Sequence, residues 1–329
     1  MKKTFKKIMM YLVAILMLGL GVIFINHQYQ LNKESKLLDS KGTLVEVDHQ
    51  KINVYTEGDG QDTYVFMAGS GISAPIYEMK GLYSKFSQEQ KIAVIERAGY
   101  GYSDVSKDER DIDTMLAQTR EALLKSGNKP PYILVPHSIS GVEAIYWAQK
   151  YPEEIKAIIA LDISLPSQYV EHKMGVVDVW TVKGMNLLTK LGVHRLTPSQ
   201  VYNPEVMKQS FLTEEEKEIY KALSYKQTFN DDMKNELLHV YENSLKSEEL
   251  PKPKDTPILL IDAIAEQDKD SKFTKYHSQK YAEFAEQINI ADVKELSGTH
   301  SIYLYKPDEI YHLAIEFMKT KVDNTERPR

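Results

Sequence analysis

From Thr43 onward the chain alternates short apolar runs with amphipathic stretches. Leu44–Val47 and Ile52–Tyr55 flank a short turn and predict a β-hairpin. Tyr64–Met67, Ile92–Ile95, Tyr132–Val135, Ala157–Leu161 and Ile258–Ile261 have the length and punctuation of buried strands, and Asp292–Leu296 is a further strand before the last helix. Asp113–Leu124 and Val142–Tyr151 are amphipathic helices between them. Continuously apolar strands separated by helices need both faces of a sheet covered. The pattern therefore predicts an α/β fold: a mostly parallel β-sheet with helices on both faces. The alternation breaks from Pro166 to Leu250, where helical patterns continue without a buried strand. This stretch is read as a helical lid, residues 166–250, inserted between core segments 43–165 and 251–319.

The first residues follow a different pattern. Lys2, Lys3, Lys6 and Lys7 precede an uncharged apolar run of 18 residues, Ile8 to Ile25. As a helix rising about 1.5 Å per residue, such a run nearly matches the hydrocarbon thickness of a bilayer. No small-residue cleavage pattern follows it, so residues 1–27 are expected to be an uncleaved single-pass anchor, with secretion after signal cleavage as the alternative. The basic flank should stay cytoplasmic and place the rest of the chain on the outer face. Residues 28–42 read as a polar tether and 320–329 as a polar tail.

Composition narrows the chemistry. The 329 residues include 41 basic and 47 acidic side chains and no cysteine. A net charge of −6 argues against a nucleic-acid partner. Disulfides, thiolate nucleophiles and Cys-ligated zinc are excluded. No motif for phosphate, flavin or nicotinamide appears, and no metal-ligand cluster is expected, so no cofactor is predicted.

One segment carries most of the chemistry: Tyr132-Ile-Leu-Val-Pro-His-Ser-Ile-Ser-Gly141, followed by a helix. A serine at a strand–helix junction has the setting of a nucleophile elbow, where a sharp turn presents the hydroxyl above the sheet edge. The usual G-x-S-x-G pattern is altered here, with Pro136 and Ser140 in place of the glycines. A serine capping a helix without chemistry would give the same local pattern. Upstream, Ala68-Gly69-Ser70-Gly71 is a Gly-rich turn able to offer a second oxyanion amide from Ser70. Arg97-Ala-Gly-Tyr-Gly-Tyr-Ser-Asp104 follows another strand, and Ser297-Gly298-Thr299-His300 follows the last one.

In order and spacing these segments resemble the α/β-hydrolase family, in its lipase, esterase and aminopeptidase-like group, over about Thr43 to Lys319. The resemblance implies Ser138 as nucleophile and His300 as its base, with the amides of Ser70 and Ile139 holding the oxyanion. His137, beside the nucleophile, is expected to point away and pack. The family's acid usually follows the strand that starts after Pro257, at the ninth position, which is Glu266; Asp268 and Asp162 are alternatives. Arg97, Gly99, Gly101 and Ser103 read as structural. Val177, Trp180, Met185, Leu187, Leu188, Leu191 and Val193 in the lid are spaced like a helix face, for an acyl pocket or for packing. The expected activity is hydrolysis of carboxylic esters of a small-molecule acyl substrate through an acyl-enzyme. A small-peptide or amide hydrolase and a non-catalytic binding module on the same fold are the alternatives.

Overall fold

The apolar runs form one mixed sheet of eight strands in a computed structural model that describes residues 2–106 and 108–323. In chain order the elements are α1 (Lys2–Glu34), β1 (Thr43–Val47), β2 (Gln50–Glu57), β3 (Thr63–Met67), α2 (Pro75–Glu78), α3 (Lys80–Phe86), β4 (Lys91–Glu96), α4 (Ile112–Lys125), β5 (Tyr132–Pro136) and α5 (Ser140–Lys150). They continue with β6 (Ile155–Leu161), α6 (Pro166–Glu171), α7 (Val176–Lys190), α8 (Pro204–Lys208), α9 (Glu214–Gln227), α10 (Asp231–Glu248), β7 (Ile258–Ile264), α11 (Lys272–Ala285), β8 (Ala291–Ser297) and α12 (Pro307–Phe317).

The strand order is β1-β2-β4-β3-β5-β6-β7-β8. β1 and β2 form the hairpin, and β2 meets β4 antiparallel; the other pairings are parallel. The hairpin turns at Asp48 and His49, whose φ values of 49° and 62° suit the tight turn that matches strand twist. Alternate residues of each inner strand feed different cores. Tyr64 and Phe66 of β3, Ile133 and Val135 of β5, and Ile159 and Leu161 of β6 face α3 and α12. Val65, Met67, Leu134, Ile158 and Ala160 face α4, α5 and α11. This two-sided burial is why the strands read as unbroken apolar runs.

The lid, α6 to α10, sits over the carboxyl ends of the strands and is fastened to the Arg97–Asp104 loop. The Gln227 amide donates to the carbonyls of Gly101 (2.8 Å) and Ser103 (2.9 Å), and Asn230 donates to that of Gly99 (2.6 Å). Arg97 is buried and pairs with Glu236 of α10 at 3.3 Å. Gly101 cannot carry a side chain, because a Cβ there would lie 1.9 Å from the Glu96 carboxyl carbon.

Three expectations are corrected here. Residues 28–34 are not a free tether: the helix of the apolar run continues to Glu34, whose carboxylate pairs with Arg195 of the lid at 2.6 Å. Residues 318–322 extend the last helix as a π-helical turn with Val322 buried, and the rest of the expected tail, 324–329, lies outside the described residues. In α7, Val177, Trp180, Met185, Leu187 and Leu188 are exposed, so they pack neither a lid core nor an acyl pocket.

The two-sided core gives a direct stability test. Phe66→Ala removes a fully buried ring and should lower unfolding free energy by about 3–5 kcal/mol, whereas Val177→Ala on the exposed lid face should change it by less than about 0.5 kcal/mol. Denaturant midpoints at unchanged slope measure both.

Candidate active site

β5 ends at Pro136 and α5 begins at Ser140, so the chain turns through His137, Ser138 and Ile139. Ser138 takes the left-handed backbone region, with φ of 57°. That conformation costs a non-glycine residue about 1–2 kcal/mol and must be held by its surroundings. The Ser138 carbonyl accepts from the amides of Gly141 and Ser164, each at 3.0 Å. Ser140, in the usual glycine position, staples the turn: its hydroxyl lies 2.8 Å from the carbonyls of Met67 and His137 and accepts from the His137 amide at 2.9 Å. Gly69 passes so close that a Cβ there would stand 2.7 Å from the Ser138 Cβ. Among the described residues no hydrogen bond takes the backbone N–H of Ser70 or of Ile139.

His300, on the loop after β8, points Nε2 at Ser138 Oγ (2.9 Å) and Nδ1 at Asp162 Oδ2 (2.5 Å). Asp162 follows the last residue of β6 and also has a left-handed backbone, with φ of 45°. Its other oxygen accepts from the Ala263 amide at 3.0 Å. Burial pushes the Asp162 carboxyl up. The His277 ring facing it, the hydrogen bond and charge of His300 and the Ala263 amide outweigh that and hold it well below the usual carboxylate range.

The carboxylate that meets His300 is therefore Asp162, not Glu266. β7 runs on to Ile264, which throws Glu266 into an exposed loop where it pairs with Lys269. Asp268 lies on the same exposed loop. Neither reaches the histidine.

Two further histidines support the constellation. His137 does not turn away: its Nε2–H donates to the His300 carbonyl at 2.9 Å, and its ring centroid lies 4.6 Å from that of His300. Burial and the His300 charge push its pKa down to about 3, so the ring is neutral. His277 of α11 had no signal in the sequence beyond its helical setting. The Leu165 amide donates to Gln168 Oε1 (2.8 Å), so Gln168 Nε2 must donate to His277 Nδ1 (2.9 Å). The His277 proton then sits on Nε2, 3.5 Å from Asp162 Oδ1 and 4.0 Å from Asp262 Oδ1. Asp162, Asp262 and His277 are close enough to surround a cation. A ring that offers N–H at that point serves the carboxylates instead, because a metal needs the lone pair.

Cavities lie on both sides of His300. One of about 620 Å³ is lined by Asp162, Gln168, Tyr169, Phe273, His277 and His300. A more polar one of about 340 Å³ includes Ser70, Glu78, His137, Tyr202 and Asn203. Glu78 is buried there and accepts from Tyr220 (2.8 Å) and Tyr303 (3.0 Å); burial raises its pKa against those donors. Arg97 reaches the Gly-rich turn after β3, donating to the Ala68 carbonyl at 3.0 Å.

Known proteins match this architecture. The family model described as alpha/beta hydrolase fold matches residues 68–189. A Bacillus subtilis (strain 168) relative described as "Uncharacterized protein YbdG" is 62% identical, over 96% of this chain and 98% of its own. Among solved structures, the epoxide hydrolase VrEH1 from Vigna radiata is similar with a TM-score of 0.61 at 18% identity, over 85% of this chain and 98% of its own. The enol-lactonase from Burkholderia xenovorans LB400 gives 0.58 at 13%, over 84% and 100%. At such identities the two solved structures speak for the fold alone.

The neutral, buried His137 has a measurable consequence. Its folded pKa of about 3 lies below the unfolded value of 6.5, so only the unfolded chain takes up this proton between those values. Stability from this group should fall as pH drops below about 6.5, by roughly 2 kcal/mol at pH 5. Unfolding measured against pH should show a shallower loss in His137→Asn than in the parent. An identical slope would contradict the assignment.

Proposed function

We propose that this chain, which has the α/β-hydrolase fold, is a serine hydrolase cleaving carboxylic esters on the outer face of a membrane. The observation that carries this reading is the continuous chain from Ser138 Oγ through His300 to the buried Asp162, with contacts of 2.9 and 2.5 Å. Ser138 attacks the ester carbonyl while His300 Nε2 takes the hydroxyl proton. The developing oxyanion is held by the free amides of Ser70 and Ile139. His300 returns the proton to the leaving alkoxide, leaving an acyl-Ser138. Water, deprotonated by the same nitrogen, then releases the acid and restores the serine.

Asp162 accepts from Nδ1–H throughout. It fixes the tautomer and stabilises the imidazolium formed in each half-reaction. His277 is a positioning residue: its N–H faces the second oxygen of Asp162 and keeps the carboxylate aimed at His300. The anchor is α1, whose apolar stretch has a mean hydropathy of 2.8 and none of its residues buried. Its basic N-terminal flank would stay inside.

Each part has its own test. Ser138→Ala should abolish fluorophosphonate labelling and leave only residual ester turnover. Asp162→Asn should lower turnover by about 10⁴-fold, while Glu266→Gln and Asp268→Asn each change it by less than about tenfold. Melting temperatures must agree across the set. Near-normal turnover in Ser138→Ala or Asp162→Asn would refute the mechanism. For topology, protease added to intact cells should degrade the part from Thr43 to Lys319; survival until lysis would reverse the orientation.

A further inference from the structure

Among the described residues, the most conspicuous surface that the proposed chemistry leaves unused is one side of α7. Val176, Val177, Trp180, Leu187 and Leu188 are large, apolar and exposed, Val177 at 77% and Trp180 at 70%. At 100° per residue they fall within about a third of the helix circumference, with Gly184 and Leu191 in the same stripe. Val182 and Asn186 are buried on the opposite side, and the Asn186 amide donates to the Phe229 carbonyl at 3.0 Å. Lys183 and Lys190 border the stripe, and Lys183 Nζ lies 5.7 Å from the Trp180 ring. An apolar stripe with a tryptophan and lysines at its edge is the composition of a helix lying in a bilayer interface.

The segment that follows α7 is fixed to the apolar helix α1. Directly after α7, Gly192 packs on His27 of α1 so closely that a Cβ would sit 2.4 Å from the His27 Cβ. Arg195 then donates to His27 Nδ1 (2.8 Å) and forks onto Glu34 at 2.8 and 2.6 Å. His27 is only two residues beyond Ile25, the end of the apolar run. At about 1.5 Å per residue the contact lies a few ångströms past the hydrocarbon edge, within the headgroup layer. With α1 spanning the bilayer as proposed, the carboxyl end of α7 is clamped at the level of the membrane surface, and exposed Leu196 lies beside the clamp.

We propose that the exposed face of α7 is a membrane-docking surface whose occupant is the lipid leaflet beside α1, so that the lid rests on the bilayer. This rests on the reading of α1 as a membrane span, but not on the hydrolase chemistry.

The chain holds two tryptophans, and Trp147 is fully buried in the core. The emission that Trp180→Phe removes therefore reports α7. The test uses the full chain in phosphatidylcholine–phosphatidylglycerol nanodiscs, with lipids brominated near the top of the acyl chain. The Trp180 component should lose most of its emission to the brominated lipid and little to aqueous iodide. Val177→Asp combined with Leu187→Asp should reverse that preference. Quenching by iodide but not by brominated lipid would put the face in water and overturn the proposal. Protection from both quenchers would mean that a second copy of the chain covers it, which also overturns it, as would failure of the chain to enter nanodiscs. Fluorophosphonate labelling of Ser138 in the same nanodiscs reads the hydrolase proposal separately.

Discussion

Two adjacent parallel strands end in non-glycine residues forced into left-handed backbone, Ser138 after β5 and Asp162 after β6. Each conformation opposes local preference, and each persists because the neighbouring strands hold it. The Ser138 and Asp162 amides are drawn onto the carbonyls of Leu161 and Ile261, one strand further along in each case. The sheet therefore sets the spacing between hydroxyl and carboxylate before any side chain is chosen. His300 needs only to reach across from the loop after β8, and His137 holds that loop by its carbonyl.

The same economy governs the lid. A buried Arg97 joins the Ala68 carbonyl of the turn after β3 to Glu236 of α10. Removing one partner of such a pair leaves a charge buried without compensation, a far larger cost than the net gain of the intact pair. The turn after β3 and the lid are thereby coupled. The lid is in turn tied to α1 through Arg195 and Glu34, so the candidate active site, its cover and the apolar helix form one connected structure.

The inner strands were legible in the sequence because a parallel sheet covered on both faces buries nearly all of their residues, and an unbroken apolar run records that directly. Ser138 and His300 were legible because an elbow and a terminal loop are local features. The sequence points to Glu266 ahead of Asp162, because counting from Pro257 assumes where β7 ends. The strand extends to Ile264, and which carboxylate meets His300 depends on strand ends that a linear count does not contain. His277 was invisible for the same reason: its tautomer is fixed by Gln168, 109 positions away. Periodicity marked the apolar face of α7 but could not say whether protein or something else covers it. Residues 28–34 read as a tether because the partner that orders them, Arg195, lies 161 positions from Glu34.

Asp162 is the carboxylate that His300 Nδ1 meets. Proton NMR tests it most directly, because an imidazole N–H held 2.5 Å from a carboxylate oxygen is strongly deshielded. The parent protein and Glu266→Gln should both show a single exchangeable resonance far downfield of the amides, and Asp162→Asn should lack it. A resonance that survives Asp162→Asn and vanishes in Glu266→Gln would contradict the account.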